Sequence, residues 1–229
     1  MAGDMSSKAA ALFLSLALAG CATAQGGAGS RAPAGSRDCR LPAGAELVDV
    51  TRLDPTIRTE IRYATDDNFT GRRLPGYDVP LALLRPTAAE ALARVHKRLA
   101  GRGLGLKVFD GYRPIRATQA MVSWATRSGN RWVLEQGYVA SRSGHNRGAT
   151  VDLTVVRLDD GSELDMGTPY DTFSEAAHTA NATGQVRDNR AILLRAMEAE
   201  GWVNYDKEWW HFRLPGEHGA LDYPLGCYR

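Results

Sequence analysis

The sequence predicts an α+β single domain, an antiparallel sheet with helices packed on it. Three observations carry that expectation. Strand-like and helix-like stretches follow one another in mixed order, without the steady alternation that a parallel sheet with crossover helices requires. Near the C-terminus, residues 202–205 and 210–214 are short aromatic-rich runs joined by Asp206-Lys207-Glu208, the pattern of a hairpin. The chain's 229 residues, 44% hydrophobic and 24% charged, hold enough apolar material for one sizeable core.

Residues 1–20 stand apart from that domain. Lys8 precedes an apolar run, residues 9–20, that is shorter than the roughly 20 residues a membrane-spanning helix needs, so it reads as an export signal. The run ends in Leu18-Ala19-Gly20-Cys21, which resembles the bacterial lipoprotein box whose cysteine is lipidated; a plain secretory signal is the alternative. Residues 21–42, rich in Gly, Ala and Ser, read as a flexible tether, and residues 43–229 as the folded domain. The expected location is the periplasm, with a lipid on Cys21 as the only membrane attachment and the outer membrane favoured over the inner. Cys39 and Cys227 remain, and in an oxidising compartment a disulfide between them would staple both ends of the domain; two unpaired thiols are the alternative. A net charge of +2 with scattered Lys and Arg gives no nucleic-acid footprint.

Along the domain, residues 47–50 and 59–63 alternate and read as strands on either side of the turn-prone Asp54-Pro55. Asp, Asn, Gly and Pro dominate residues 65–80, a long irregular segment of the kind that is commonly functional. Residues 86–100 have helical spacing, with Ala88, Leu92, Val95 and Leu99 on one stripe, Pro86 in the first turn and Gly101 at the end; His96 reads as a surface residue of this helix. A strand over 104–109 leads into Asp110-Gly111-Tyr112-Arg113-Pro114, then a helix over 115–127 with Ala117, Met121 and Trp124 on one side. Residues 151–156 alternate so that Val151, Leu153 and Val155 share one face and Asp152 and Thr154 the other. A second polar stretch, 158–184, precedes a helix over 189–200 that Asp188 would cap and Gly201 would end.

Chemistry concentrates in two clusters. In Ser143-Gly144-His145-Asn146-Arg147-Gly148-Ala149-Thr150-Val151-Asp152, an imidazole and a carboxylate sit on one loop-to-strand transition; either alone is more simply a hydrogen-bonded loop histidine or a solvated strand aspartate. Glu208-Trp209-Trp210-His211 supplies what a hydrolytic zinc site lacks in the first cluster. Catalytic zinc takes three protein ligands and keeps a position for water, while a carboxylate off the metal takes the water's proton. His145, Asp152 and His211 are the expected ligands and Glu208 the expected base. Because Glu208 and His211 would face opposite sides of a regular strand, the backbone must turn before a strand starts near Trp210. Pro114 directs Arg113 out of a helix, and a guanidinium there suits either an oxyanion or a salt bridge to Asp110. His178 is kept as a loop anchor, since a fourth protein ligand would close the water position.

With Ser143, His145, Gly148, Asp152, Glu208, Trp210 and His211 in place, the chain resembles the zinc D-alanyl-D-alanine dipeptidases of the vancomycin-resistance type, within the wider zinc D,D-peptidase group that shares an S-x-H-x-x-G-x-A-x-D and E-x-x-W-H signature. Thr150 replaces the alanine usual in the first motif. The likeness extends over Ile61-Arg62-Tyr63, Asp110-Gly111-Tyr112-Arg113-Pro114 and Met166-Gly167-Thr168-Pro169-Tyr170-Asp171. It implies a D,D-peptidase/hedgehog-like fold with the metal at the sheet, one Zn²⁺ per chain, catalytic roles for Glu208 and Arg113, and substrate contacts at Ser143, Tyr63 and Asp110. It also implies the small dipeptide D-Ala-D-Ala as substrate. Two alternatives stay open on the residues alone: a D,D- or L,D-carboxypeptidase acting on peptidoglycan stem peptides, and a silent zinc-stabilised module that binds wall peptides.

Overall fold

The structure is a computed structural model that describes residues 39–229; the apolar run, Cys21 and most of the tether lie outside the described residues. In chain order the elements are β1 (Val48–Asp49), α1 (Val50–Leu53), β2 (Arg58–Thr59), β3 (Leu83–Leu84), α2 (Pro86–Ala100), β4 (Leu104–Asp110), α3 (Ile115–Arg127), α4 (Trp132–Glu135), β5 (Thr150–Arg157), α5 (Gly184–Glu198), β6 (Val203–Asn204) and β7 (His211–Arg213). The strands form a five-stranded sheet in the order β2-β4-β5-β7-β6, and β1 with β3 forms a separate antiparallel ribbon. Among the described residues no helix is long and apolar enough to cross a membrane.

The expected α+β class holds, with one amendment to the sheet. All its pairings are antiparallel except that of β2, which runs parallel to β4. Parallel neighbours need a crossover, and here the irregular 60–82 segment, β3 and α2 together supply it between β2 and β4. The first two expected strands are shorter than their pattern. Asp49 accepts a hydrogen bond from Thr51 N (3.1 Å) and so caps α1, which converts Val50 from strand to helix. The 3₁₀ turn Arg62–Ala64 ends the second run, and it buries Tyr63.

α2 matches its stripe: Ala88, Leu92, Val95 and Leu99 are all buried, with Pro86 in the first turn. His96 is not the surface residue expected. It is 1% exposed, its Nδ1 accepts from Leu106 N (3.1 Å), and its Nε2 lies 2.8 Å from the Thr56 hydroxyl, so the ring ties α2 to β4. α3 spans the residues expected, with Ala117 and Met121 buried and Trp124 half-buried against Phe69. α5 begins earlier than the pattern predicts, at Gly184 after Thr183, so Asp188 lies inside the helix and caps nothing. Arg190 on that helix is buried and donates to the carbonyls of Met166, Ala176 and His178, which ties down the 166–178 segment.

Both faces of β5 are buried: Asp152 is 2% and Thr154 0% exposed, as inaccessible as Val151 and Leu153 opposite. The polar 158–183 stretch causes this by folding over the second face, where Tyr170 stacks on Phe109 (4.6 Å) and meets Trp210 edge-on (5.4 Å). Cys39 and Cys227 are joined by a disulfide, as the compartment argument predicts.

Candidate metal centre and its pocket

Sheet register builds the site. Asp152 of β5 pairs with Asp110 of β4 on one side and His211 of β7 on the other, and residues directly opposite one another across a sheet project from the same face. Three polar side chains therefore stand in a row. His145 arrives from the turn before β5: Gly144–Arg147 is one 3₁₀ turn, with Ser143 and Asn146 forming a capping box at its start. Gly148 ends the turn at φ 72°, the left-handed region that strains any residue with a Cβ and so favours glycine.

Asp152 Oδ1 lies 3.3 Å from His145 Nε2 and 3.0 Å from His211 Nδ1, and the two nitrogens are 3.3 Å apart. A tetrahedral metal at the usual ~2.0–2.1 Å from N and O ligands separates them by roughly 3.3–3.4 Å, so the three atoms already form one face of such a site. Asp152 Oδ2 is 3.0 Å from the Tyr170 hydroxyl, yet Oδ1 is buried and receives no hydrogen bond. An orphaned buried carboxylate oxygen between two imidazoles is what a cation satisfies. The tautomer agrees. His145 Nδ1 lies 2.7 Å from Gly111 O and must donate to it, which leaves the Nε2 lone pair facing the triad. Burial lowers His211 and so favours the neutral ring that a ligand must present.

Glu208 is brought to the same place by the turn that the sequence demands. Glu208 N donates to Tyr205 O (3.0 Å) and His211 N to Glu208 O (3.2 Å), which breaks strand periodicity and puts Glu208 Oε2 3.4 Å from His211 Nδ1. Burial pushes its carboxyl well above the ordinary range, and the charges of Asp152 and Asp171 add to this against Arg113.

For Arg113, salt bridge and pocket position coexist. Its Nε and Nη2 donate to Asp110 Oδ2 (3.0 and 2.8 Å), while Nη1 has only the Met121 sulfur at 3.4 Å. The guanidinium lies 5.0 Å over the Tyr63 ring and lines the cavity. Asp110 does not. It is fully buried behind Arg113 and its other oxygen takes the Tyr77 hydroxyl (2.6 Å), so the expected substrate contact is replaced by an orienting role. Ser143 and Tyr63 do line the cavity, which measures about 360 Å³. His178 anchors a loop, with Nε2 3.0 Å from the Tyr138 hydroxyl.

The residue that sequence reasoning missed is Asp171, although it ends a motif quoted for the resemblance. It is the one non-glycine residue with positive φ (61°) among the described residues, a conformation that costs of order 1 kcal/mol or more and points to function. Both its oxygens lie 3.0–3.1 Å from the Tyr63 hydroxyl, and burial, with the charge of Asp152, pushes its carboxyl up to about 8.

An imidazole-carboxylate-imidazole triad, with His145 and Asp152 buried and His211 partly exposed, together with a carboxylic acid and a guanidinium on the same cavity, is the equipment of a metal-dependent hydrolase. Residues 43–228 match the family model described as D-ala-D-ala dipeptidase, in the peptidase M15 group, and the chain belongs to that family of enzymes. A D-alanyl-D-alanine dipeptidase of Enterococcus faecium is 37% identical over 188 residues, covering 74% of this chain and 93% of that one. One of Escherichia coli (strain K12) is 36% identical over 182 residues, covering 79% and 89%. Among solved structures, the LdcB LD-carboxypeptidase is similar at 18% identity and a TM-score of 0.45, over 78% of this chain and 71% of that one, too distant a likeness to bear on the site.

Proposed function

We propose that this chain hydrolyses the free dipeptide D-Ala-D-Ala with one Zn²⁺ held by His145, Asp152 and His211. The observation that carries the reading is that the triad, Glu208, Arg113 and Asp171 share one cavity of about 360 Å³, near the small end of the roughly 300–1,000 Å³ common for ligand pockets. Held by His145, Asp152 and His211, a zinc ion would supply water that is nucleophilic at neutral pH and a Lewis acid for the scissile carbonyl.

The chain's own groups do the rest. Glu208, with its carboxyl held above the usual range, accepts a proton from the attacking water and returns it to the leaving amine nitrogen. Arg113, steered by Asp110, turns Nη1 to the carbonyl oxygen as negative charge develops there. Asp171 and Tyr63 form an anionic end that pairs with a free ammonium, whose charge restores the Asp171 carboxylate. The Ser143 hydroxyl accepts from His145 N (3.3 Å) and keeps its own proton to donate to the substrate carboxylate. An ammonium partner inside a small cavity selects a free dipeptide over a long stem peptide. The D configuration rests on the named activity of the relatives.

The test is to incubate the zinc-loaded protein with D-Ala-D-Ala, L-Ala-L-Ala and a muropeptide pentapeptide and to analyse products. Release of D-Ala from the first alone is expected; preferential cleavage of the pentapeptide would establish the carboxypeptidase reading, and no cleavage the silent module. Asp171→Asn should raise KM for the dipeptide roughly 10- to 100-fold, the worth of one hydrogen bond to a charged group, with a smaller change in kcat. An unchanged KM would remove Asp171 from the ammonium site. For location, we keep the lipid-anchored periplasmic reading of Leu18-Ala19-Gly20-Cys21: Cys21→Ser should shift the protein from the membrane to the soluble fraction, and unchanged sedimentation with membranes would refute it.

A further inference from the structure

We propose that Asn204 is a positioning residue whose carboxamide sets the backbone beneath both Glu208 and His211, and so couples metal affinity to turnover. The inference rests on the catalytic reading above and deepens it. Asn204 ends β6 and pairs with Phe212 of β7, one residue past the ligand, and it is not among the residues lining the catalytic cavity. Its Nδ2 donates to Glu208 O (3.1 Å) and to His211 O (3.0 Å). The two hydrogens of one amide are thus spent on the carbonyls of the expected base and of one expected ligand.

Direction matters more than strength here. A carbonyl oxygen fixes the plane of the peptide that follows it, so pinning Glu208 O and His211 O constrains the backbone from which both side chains depart. A regular strand would send residues 208 and 211 to opposite faces, and the irregular 205–210 turn that avoids this must leave strand pairing to do so. Asn204 gives the turn a substitute for the lost ladder. The acceptor end of the amide is held as well: Thr179 Oγ1 donates to Asn204 Oδ1 (2.6 Å), and Thr179 N donates to Asp206 O (2.8 Å) at the turn's tip. Two carbonyls require donors and one hydroxyl supplies a proton, so the three partners determine which way the amide faces. Only Asn meets that demand at this length. Aspartate has the same shape but would set an oxygen against two carbonyl oxygens.

The experiment compares Asn204→Asp, Thr179→Val and the control Val203→Ala, at a residue that is 41% exposed. Zinc affinity is read by chelator competition, kcat and KM for D-Ala-D-Ala at saturating zinc, and Tm by thermal melt. Asn204→Asp should weaken zinc binding and lower kcat by roughly 10- to 100-fold each, as loss of a supporting hydrogen bond at a metal site typically does, with KM within about threefold because Asp171, Tyr63 and Ser143 lie on other segments. Thr179→Val should move the same two quantities in the same direction by less, and Val203→Ala neither. If Asn204→Asp fails to fold, Thr179→Val decides. Wild-type zinc affinity and kcat in the folded variant, or a lowered Tm with both unchanged, overturns the proposal. Zinc affinity is read without turnover, so a wild-type protein that binds zinc but leaves the dipeptide intact would sink the catalytic reading and not this one.

Discussion

Glu208→Gln is expected to keep close to one zinc per chain and the wild-type fold while losing turnover by about 10²- to 10⁴-fold, the usual worth of general acid–base catalysis. The substitution is isosteric, and the hydrogen bonds that shape the 205–210 turn at this position are made by backbone N and O, which glutamine retains. Glutamine also carries no charge, so the buried position loses the cost of an ionised carboxylate near Asp152 and Asp171 and should tolerate the change. What disappears is the group that can take and return a proton. Asp152→Ala and His211→Ala should differ in kind: each removes a corner of the triad, so metal content and activity fall together. Metal analysis and dipeptide kinetics on the three variants separate the roles. Full zinc with undiminished hydrolysis in Glu208→Gln would end the assignment of the base.

The largest effect on stability is expected from the disulfide. Cys39 and Cys227 are 188 residues apart, and in the chain-entropy model closing so long a loop stabilises the fold by up to about 5 kcal/mol, with residual structure in the unfolded chain reducing it. The C-terminal tail has independent anchors: Leu225 N donates to Gly76 O (2.9 Å) and Gly226 N to Asp78 Oδ1 (2.9 Å). The bridge also lies apart from the residues that line the cavity. The double variant Cys39→Ser/Cys227→Ser should therefore unfold at markedly lower urea and with a larger m-value, because the unlinked unfolded chain is more expanded, while its folded fraction retains wild-type kcat and KM. An unchanged urea midpoint would mean that the unfolded chain is compact enough for the link to cost it nothing.

Much of this protein was readable from local pattern. The bounds of α2 and α3 follow from apolar residues three and four apart, which no other backbone can bury together. The set His145, Asp152, Glu208 and His211 follows from chemistry, because few arrangements other than a hydrolytic metal site call for those residue types in those motifs, and even the need for a turn before His211 follows from strand periodicity. The Cys39–Cys227 bridge follows from cysteine arithmetic, since only these two cysteines lie near the two ends of the folded domain.

What the tertiary structure decided was every question whose answer depends on a distant partner. His96 looks like a surface residue of its helix until Thr56 and Leu106 are seen to satisfy both ring nitrogens. The polar side of β5 looks solvated until Tyr170, from a segment with no periodicity of its own, covers it. Asp110 and Arg113 stand three apart in either role, and only the register that sets Asp110 beside Asp152 shows one bracing the other at the cavity wall. Asp171 could not have been singled out by spacing, since its importance lies in a left-handed backbone and in a neighbour, Tyr63, from the far end of the domain. Sequence pattern reports the conformation that neighbouring residues prefer; burial, pairing direction and the company a charge keeps are settled by contacts between segments far apart in the chain, and in this protein those contacts make the pocket.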